Sequence, residues 1–287
     1  MLKHRLLYGT LMTLVFTAIV IFDGWLDGSL TASSADDRTV QGTLLCILIS
    51  GLIIPAQLEL AKLAKAKNLR IFTPVAIIAS ILFAGSWYWL QLIEIEPMIY
   101  LLFLLVSCLC ALLLYQYFRF GTSGVIANCG AGYFCIIYLG LLSAFVVGIR
   151  VDFGVWELLM FIFVVKFADI GAYTIGILFG KHKFSPRISP GKTWEGMVGA
   201  VAAAVIVSFL FGAGCDIMCR LAAVIFGIFI AFTGQLGDLV ESMMKRDAEI
   251  KDSSNKVPGF GGILDIIDSP LFTAPLAYLF FMFAIGK

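Results

Sequence analysis

The chain has 287 residues, of which 61% are hydrophobic and 14% charged, with a net charge of +1 and a mean hydropathy of +1.00. A soluble domain is about 25% charged, and no soluble core hides this much apolar surface, so a water-soluble globule, a disordered chain and a fibrous protein are excluded. No basic tract exists to neutralise phosphates, which excludes nucleic acid as the main partner; the composition is that of an integral membrane protein.

A hydrocarbon core about 30 Å thick needs about 20 helical residues. Runs of this kind lie near 6–22, 40–60, 71–92, 98–118, 124–149, 154–180, 196–214, 218–237 and 269–286. They predict an all-α, polytopic membrane protein with about nine transmembrane helices. The first run follows Met1–Arg5 and mimics a signal peptide. It is longer than the usual apolar region of such a peptide, and no small-x-small cleavage site directly follows it, so it reads as a retained span.

An odd number of spans puts the termini on opposite sides. With the N-terminus in the cytoplasm, fifteen basic residues fall on the cytoplasmic side, and only Arg38, Arg150, Arg220 and Lys287 on the other. The positive-inside rule requires such a bias. The opposite loops carry acids instead: Asp23, Asp27, Asp36 and Asp37, then Glu94 and Glu96, then Asp216. The seven cysteines sit mostly in apolar runs without zinc-like spacing and read as small buried side chains.

Residues 1–150 form a first region of five spans with chemically plain loops. Residues 151–287 hold four spans and the candidate chemistry, mostly in loops 181–195 and 238–268. Within the sixth span, Lys166 and Asp169 share a helix face. They form either an internal ion pair or one wall of a polar site. The next loop runs from Gly180 to Gly196 and contains Arg187, Ser189, Pro190, Gly191, Lys192, Thr193 and Trp194. It reads as a solvated basic loop or, through Arg187, Ser189, Lys192 and Thr193, as a set of donors for phosphate oxygens. It lacks the first glycine and preceding strand of a P-loop. Gly176 and Gly180 make a small-xxx-small pair suited to a helix contact within the chain or between two copies, which leaves a homodimer open.

The longest connection runs from Gly237 to Ser269. If the eighth span continues as helix, Asp238, Ser242 and Lys245 fall on one face. Gly259, Gly261 and Gly262 either allow close backbone approach to a ligand or make a turn. Asp265 and Asp268 stand three apart, flanked by Ile263, Leu264, Ile266 and Ile267, where the last span begins. Two carboxylates in a low-dielectric site cannot easily both ionise. A divalent cation resolves this, and hard oxygen ligands suit Mg²⁺, with Asp238 completing the set. Carboxylates for Mg²⁺ beside Lys and Arg for phosphates fit phosphoryl or nucleotidyl transfer, which needs positioning and charge neutralisation more than covalent chemistry.

Two stretches carry a family resemblance. One runs Ser242-Met-Met-Lys245-Arg246, Lys251-Asp252-Ser253, then Pro258-Gly-Phe-Gly-Gly262-Ile-Leu-Asp265-Ile-Ile-Asp268. The other runs from Asp169-Ile-Gly-Ala-Tyr173 through Lys181 to Ser189-Pro-Gly-Lys192-Thr193-Trp-Glu-Gly196. In this order they resemble the CDP-diacylglycerol synthase (phosphatidate cytidylyltransferase) family. The resemblance implies a reaction in which phosphatidic acid attacks the α-phosphorus of CTP, giving CDP-diacylglycerol and pyrophosphate. It implies Mg²⁺ as cofactor, with room for a monovalent cation such as K⁺. Carried over by motif position, Asp238, Asp265 and Asp268 would hold metal. Arg187, Lys192, Lys245, Arg246 and Lys251 would meet phosphates, and Asp169, Ser242 and Asp252 would line the site, beside Ser189, Thr193, Gly261 and Gly262. The short chain and sparse loops point to a bacterial plasma (inner) membrane, and the bias of basic loops puts the site on its cytoplasmic face.

Two positions depart from the family pattern. Phe260 stands where the family's Gly-His-Gly-Gly stretch has His, and Ile266 where its Asp-Arg-x-Asp stretch has Arg. They motivate a second reading, a CTP-dependent transferase acting on an ether-lipid phosphate or an isoprenoid alcohol. A third reading, an organic-anion transporter, is motivated by Lys166 and Asp169. It is opposed by charges gathered on one side and by the absence of an inverted repeat.

Overall fold

A computed structural model describes residues 2–30, 38–250 and 261–286. The protein is an all-α polytopic membrane protein, and among the described residues eight helices are long and apolar enough to cross a bilayer. They are α1 (Leu2–Leu26), α2 (Thr43–Ala66), α5 (Pro97–Phe120), the composite helix Val125–Phe153, α8 (Val155–Phe179), α9 (Trp194–Gly214), α10 (Arg220–Asp247) and α11 (Leu264–Ile285). The composite helix joins α6 (Val125–Ile136) and α7 (Leu142–Gly148), each followed by a five-residue π-turn. The region expected to hold the third span is broken at Gly85 into α3 (Thr73–Ala84) and the short α4 (Ser86–Trp89). Large apolar side chains on α5, including Phe103, Val106 and Phe118, lie exposed, as suits a helix that faces lipid rather than water.

Helix ends differ from the hydropathy reading where charge enters the helix. The last helix starts at Leu264, five residues before the expected start, so Asp265 and Asp268 are inside its first turns. α10 continues ten residues past its expected end, to Asp247. Hydropathy registers the loss of apolar side chains there, whereas the backbone ladder continues without them.

The described chain forms two compact units: Met1–Val151 with Asp247–Ile266, and Asp152–Arg246 with Ile267–Lys287. In the first unit α3, α5 and α6 enclose an apolar core that includes Phe72, Phe83, Leu104, Leu112 and Ile136. Some buried polar groups beside it find partners nearby. Gln57 Nε2 donates to Ser80 Oγ at 2.7 Å, and Gln116 Nε2 donates to the carbonyls of Gly121 and Ser123.

One end of this unit is tied by a buried charge knot. Arg150 is 0% exposed; its Nη2 meets Asp27 Oδ2 at 2.6 Å and its Nε meets Asp23 Oδ2 at 3.1 Å. Asp23 also accepts the Leu44 amide, and Asp27 the Gly42 amide, at the start of α2. The sequence places Asp23, Asp27 and Arg150 among loop charges, but they are buried and join α1, α2 and the second π-turn. Their sequence separation conceals this pairing.

The second unit is drawn together by small residues. A methyl group on Gly171 of α8 or Gly199 of α9 would collide with the other's carbonyl oxygen. Gly176 and Gly180 face Thr193 and Gly196, so the small-xxx-small pair serves a contact within the chain. Aromatic rings of Phe226, Phe280 and Phe281 fill the space between α10 and α11, with Phe226 and Phe281 centroids 4.9 Å apart.

Replacing Arg150 by Met strands Asp23 and Asp27 in a dry site. Removing one partner of a buried ion pair costs about 3–5 kcal/mol, so Arg150→Met is expected to lower the thermal unfolding temperature of the detergent-purified protein markedly. An unchanged temperature would show that the knot does not support the fold.

Candidate functional site

The second unit gathers the unusual charges of the sequence. Loop 180–193, between α8 and α9, is a stiff hairpin. Lys183 and Thr193 form an antiparallel bridge, and the Phe184 and Trp194 amides donate across it to Lys192 and His182 carbonyls. Glu195 fastens the base by accepting the Lys181 and His182 amides and His182 Nδ1. Thr193, expected among phosphate donors, caps α9 by accepting the Gly196 amide at 3.1 Å. Ser189 lies in the turn, where its carbonyl accepts the Lys192 amide, and Arg187 is exposed.

This hairpin delivers Lys192 to α10. Its ammonium reaches Asp238 Oδ2 at 2.9 Å, Gln235 Oε1 at 3.0 Å and the Gln235 carbonyl at 3.0 Å. An ammonium has three protons, and these three acceptors take them all. Asp238 uses its other oxygen, Oδ1, to accept from Ser269 Oγ at 2.8 Å. Asp268, on α11 and 5% exposed, lies within hydrogen-bonding reach of Asp238.

Gly237 makes that approach geometrically feasible. A Cβ built there would stand 2.9 Å from Phe272 Cβ, 3.2 Å from Ser269 Cα and 3.3 Å from the Asp268 carbonyl oxygen. The bare backbone lets α10 and α11 touch at the level of the aspartates.

Further charges surround the pair. Asp169 stands in the field of Asp238, Lys166 and Lys192, and its Oδ1 is buried without a hydrogen-bond partner among the described residues. Glu241, one turn after Asp238, is buried, pairs with Lys245 Nζ at 2.5 Å and acts on Asp268. The cluster thus sets the carboxyl groups of Asp169, Asp238, Glu241 and Asp268 against the ammoniums of Lys166, Lys192 and Lys245. Ser242 is half-buried beside it in sequence, and Arg246 Nε donates to the Ile188 carbonyl, joining α10 to the hairpin.

The remaining expected site residues are placed differently. Asp265, Gly261 and Gly262 belong to the first unit. Asp265 Oδ2 accepts the Gly262 amide at 2.6 Å across the first turn of α11, and Gly261 has φ +97°. Lys251, Asp252 and Phe260 lie outside the described residues. Among the described residues no three His, Cys, Asp or Glu side chains form a ready metal cage.

Gln235 and Glu241 were not expected. Both lie three residues from Asp238, on its helix face, Gln235 in the stretch read as a span and Glu241 in the connection read after it. Polar groups at such positions are the available signal, but the identity of their partners depends on the tertiary fold.

The fold and cluster define a membrane-embedded protein with a carboxylate cluster bordered by basic side chains. A model described as the cytidylyltransferase family matches residues 38–284. A protein of Staphylococcus haemolyticus named phosphatidate cytidylyltransferase is 34% identical over 242 residues, covering 82% of this chain and 88% of that one. Proteins of the same name from Chlamydia pneumoniae and Bacillus subtilis are 35% and 38% identical, over 59% and 52% of this chain. Those two alignments span 59% and 56% of the relatives' own length. The chain belongs to the cytidylyltransferase family.

Gly237→Val inserts a branched side chain between α10 and α11. Overpacking of this kind costs about 1–3 kcal/mol, so the variant is expected to unfold at lower temperature in detergent than the wild type. Equal stability would contradict the close approach that joins Asp238 to Asp268.

Proposed function

We propose that the chain transfers the cytidylyl group of CTP to phosphatidic acid, giving CDP-diacylglycerol and pyrophosphate. The single observation that carries this reading is the pairing of half-buried Asp238 with buried Asp268, Lys192 against it, in a chain of the cytidylyltransferase family. The names of the relatives supply the acceptor, and the apolar helices suit a lipid substrate.

The residues fit Mg²⁺, which takes one or two carboxylates and completes its shell with water and substrate phosphates. Asp238 and Asp268 are the oxygen donors, and a divalent cation would let the two carboxylates ionise side by side; Asp265 is a third donor by motif position. When bound there, Mg²⁺ would neutralise phosphate charge. The chain's own groups do the rest. Lys192 and Lys245, held by Gln235, Asp238 and Glu241, provide fixed positive charge for phosphate oxygens. Arg187 and Arg246 are exposed cations on and beside the hairpin. The lipid phosphate is ionised at neutral pH, so its oxygen attacks the α-phosphorus without a strong general base, while pyrophosphate departs.

The basic hairpin and the bias of basic loops support a cytoplasmic site, where CTP is soluble, in a bacterial plasma membrane. Arg150 is buried, which leaves even fewer basic groups on the opposite surface. Phe260 and Ile266 keep open an acceptor other than ester-linked phosphatidic acid.

Purified protein is expected to release pyrophosphate only when CTP, phosphatidic acid and Mg²⁺ are all present, and chelation should stop it. Asp268→Asn is expected to lower turnover roughly 100- to 1,000-fold, the scale seen when one charge-stabilising group is removed. Competition between ester-linked and ether-linked lipid phosphates and an isoprenoid alcohol identifies the acceptor. No release with any of them would contradict the reading.

A further inference from the structure

Glu59 lies in α2, inside a long apolar span, and is 0% exposed. An ionised carboxylate cannot be held there without donors. The described donors come from the start of α11: the Ile263 amide reaches Glu59 Oε1 at 3.2 Å and the Leu264 amide reaches Oε2 at 2.9 Å. The preceding amide, Gly262, donates to Asp265. Three consecutive amides are therefore taken by two carboxylates. The first amides of a helix have no acceptor within it, and its positive end favours an anion. Both needs are met by a residue some two hundred positions earlier in the chain.

We propose that Glu59 is a positioning residue for cytidylyl transfer, holding the first turn of α11 so that it presents Asp265 in one fixed register. The inference rests on the site reading above. Its physical content is specific. Without Glu59, the Ile263 and Leu264 amides lose their acceptors, and Asp265 is the nearest carboxylate left in that turn. Competition for Asp265 and fraying of the turn would both disturb the carboxylate that motif position gives to the site.

The test compares wild type with Glu59→Gln and Glu59→Ala in detergent, by backbone amide exchange and by steady-state turnover of CTP with phosphatidic acid. In Glu59→Ala, exchange at Ile263 and Leu264 should accelerate roughly 10- to 100-fold, the equilibrium weight of hydrogen bonds to a charged group. Later turns of α11 should keep their protection. Turnover should fall by a similar factor while KM for CTP changes little. Glu59→Gln keeps one acceptor oxygen and should lie between. A tie that merely docks two helices would lower the yield of folded protein but leave kcat of the folded fraction intact. Wild-type kcat in either folded variant, or unchanged exchange at both amides, overturns the proposal. If the wild type itself turns over no CTP with any lipid phosphate, the transferase reading falls and the part given to Glu59 falls with it. An active wild type matched by its variants removes the inference alone.

Discussion

Lys192 gives all three of its ammonium protons to acceptors on a single helix, two of them on Gln235 and the third on Asp238. The arrangement fixes a basic loop residue inside the protein. It also sets a positive charge beside a carboxylate that faces a second carboxylate, Asp268. Much of the second unit's architecture serves this contact. The bridged hairpin aims Lys192, the glycine seam between α8 and α9 closes its base, and Gly237 lets α11 bring Asp268 and Ser269 against Asp238.

The same constraint explains the rest of the polar interior. Charge removed from water needs a partner, and inside apolar helices few are near in sequence. Arg150 answers Asp23 and Asp27 across more than a hundred residues. Glu59 answers backbone amides at the head of α11. The carboxylate cluster of the second unit differs in its partners: Asp23 and Asp27 take backbone amides from α2 beside Arg150, whereas Asp238 faces a second carboxylate, Asp268.

Hydropathy located the helices because burial in lipid is a property of each segment alone. It misplaced ends where charged residues continue a helix, at Asp238–Asp247 and Leu264–Asp268, and it missed the break at Gly85. The site was legible where motif order carried it, in Asp238, Lys192 and Asp268. Thr193 shows the limit: its hydroxyl suits a phosphate, yet it caps α9. Gln235 and Glu59 stayed hidden because a polar residue in an apolar run does not reveal its partner, and Glu241 because it is one of many charges in the connection after the eighth span. Asp23, Asp27 and Arg150 resembled surface charge for the same reason.

The central claim concerns which phosphorus of CTP moves. CTP labelled at the α-phosphorus, or separately at the γ-phosphorus, is incubated with the purified protein, phosphatidic acid and Mg²⁺, and the lipid is extracted. The account predicts α-label in the lipid and γ-label in pyrophosphate. A γ-label on the lipid, or no label there from either nucleotide, would contradict it.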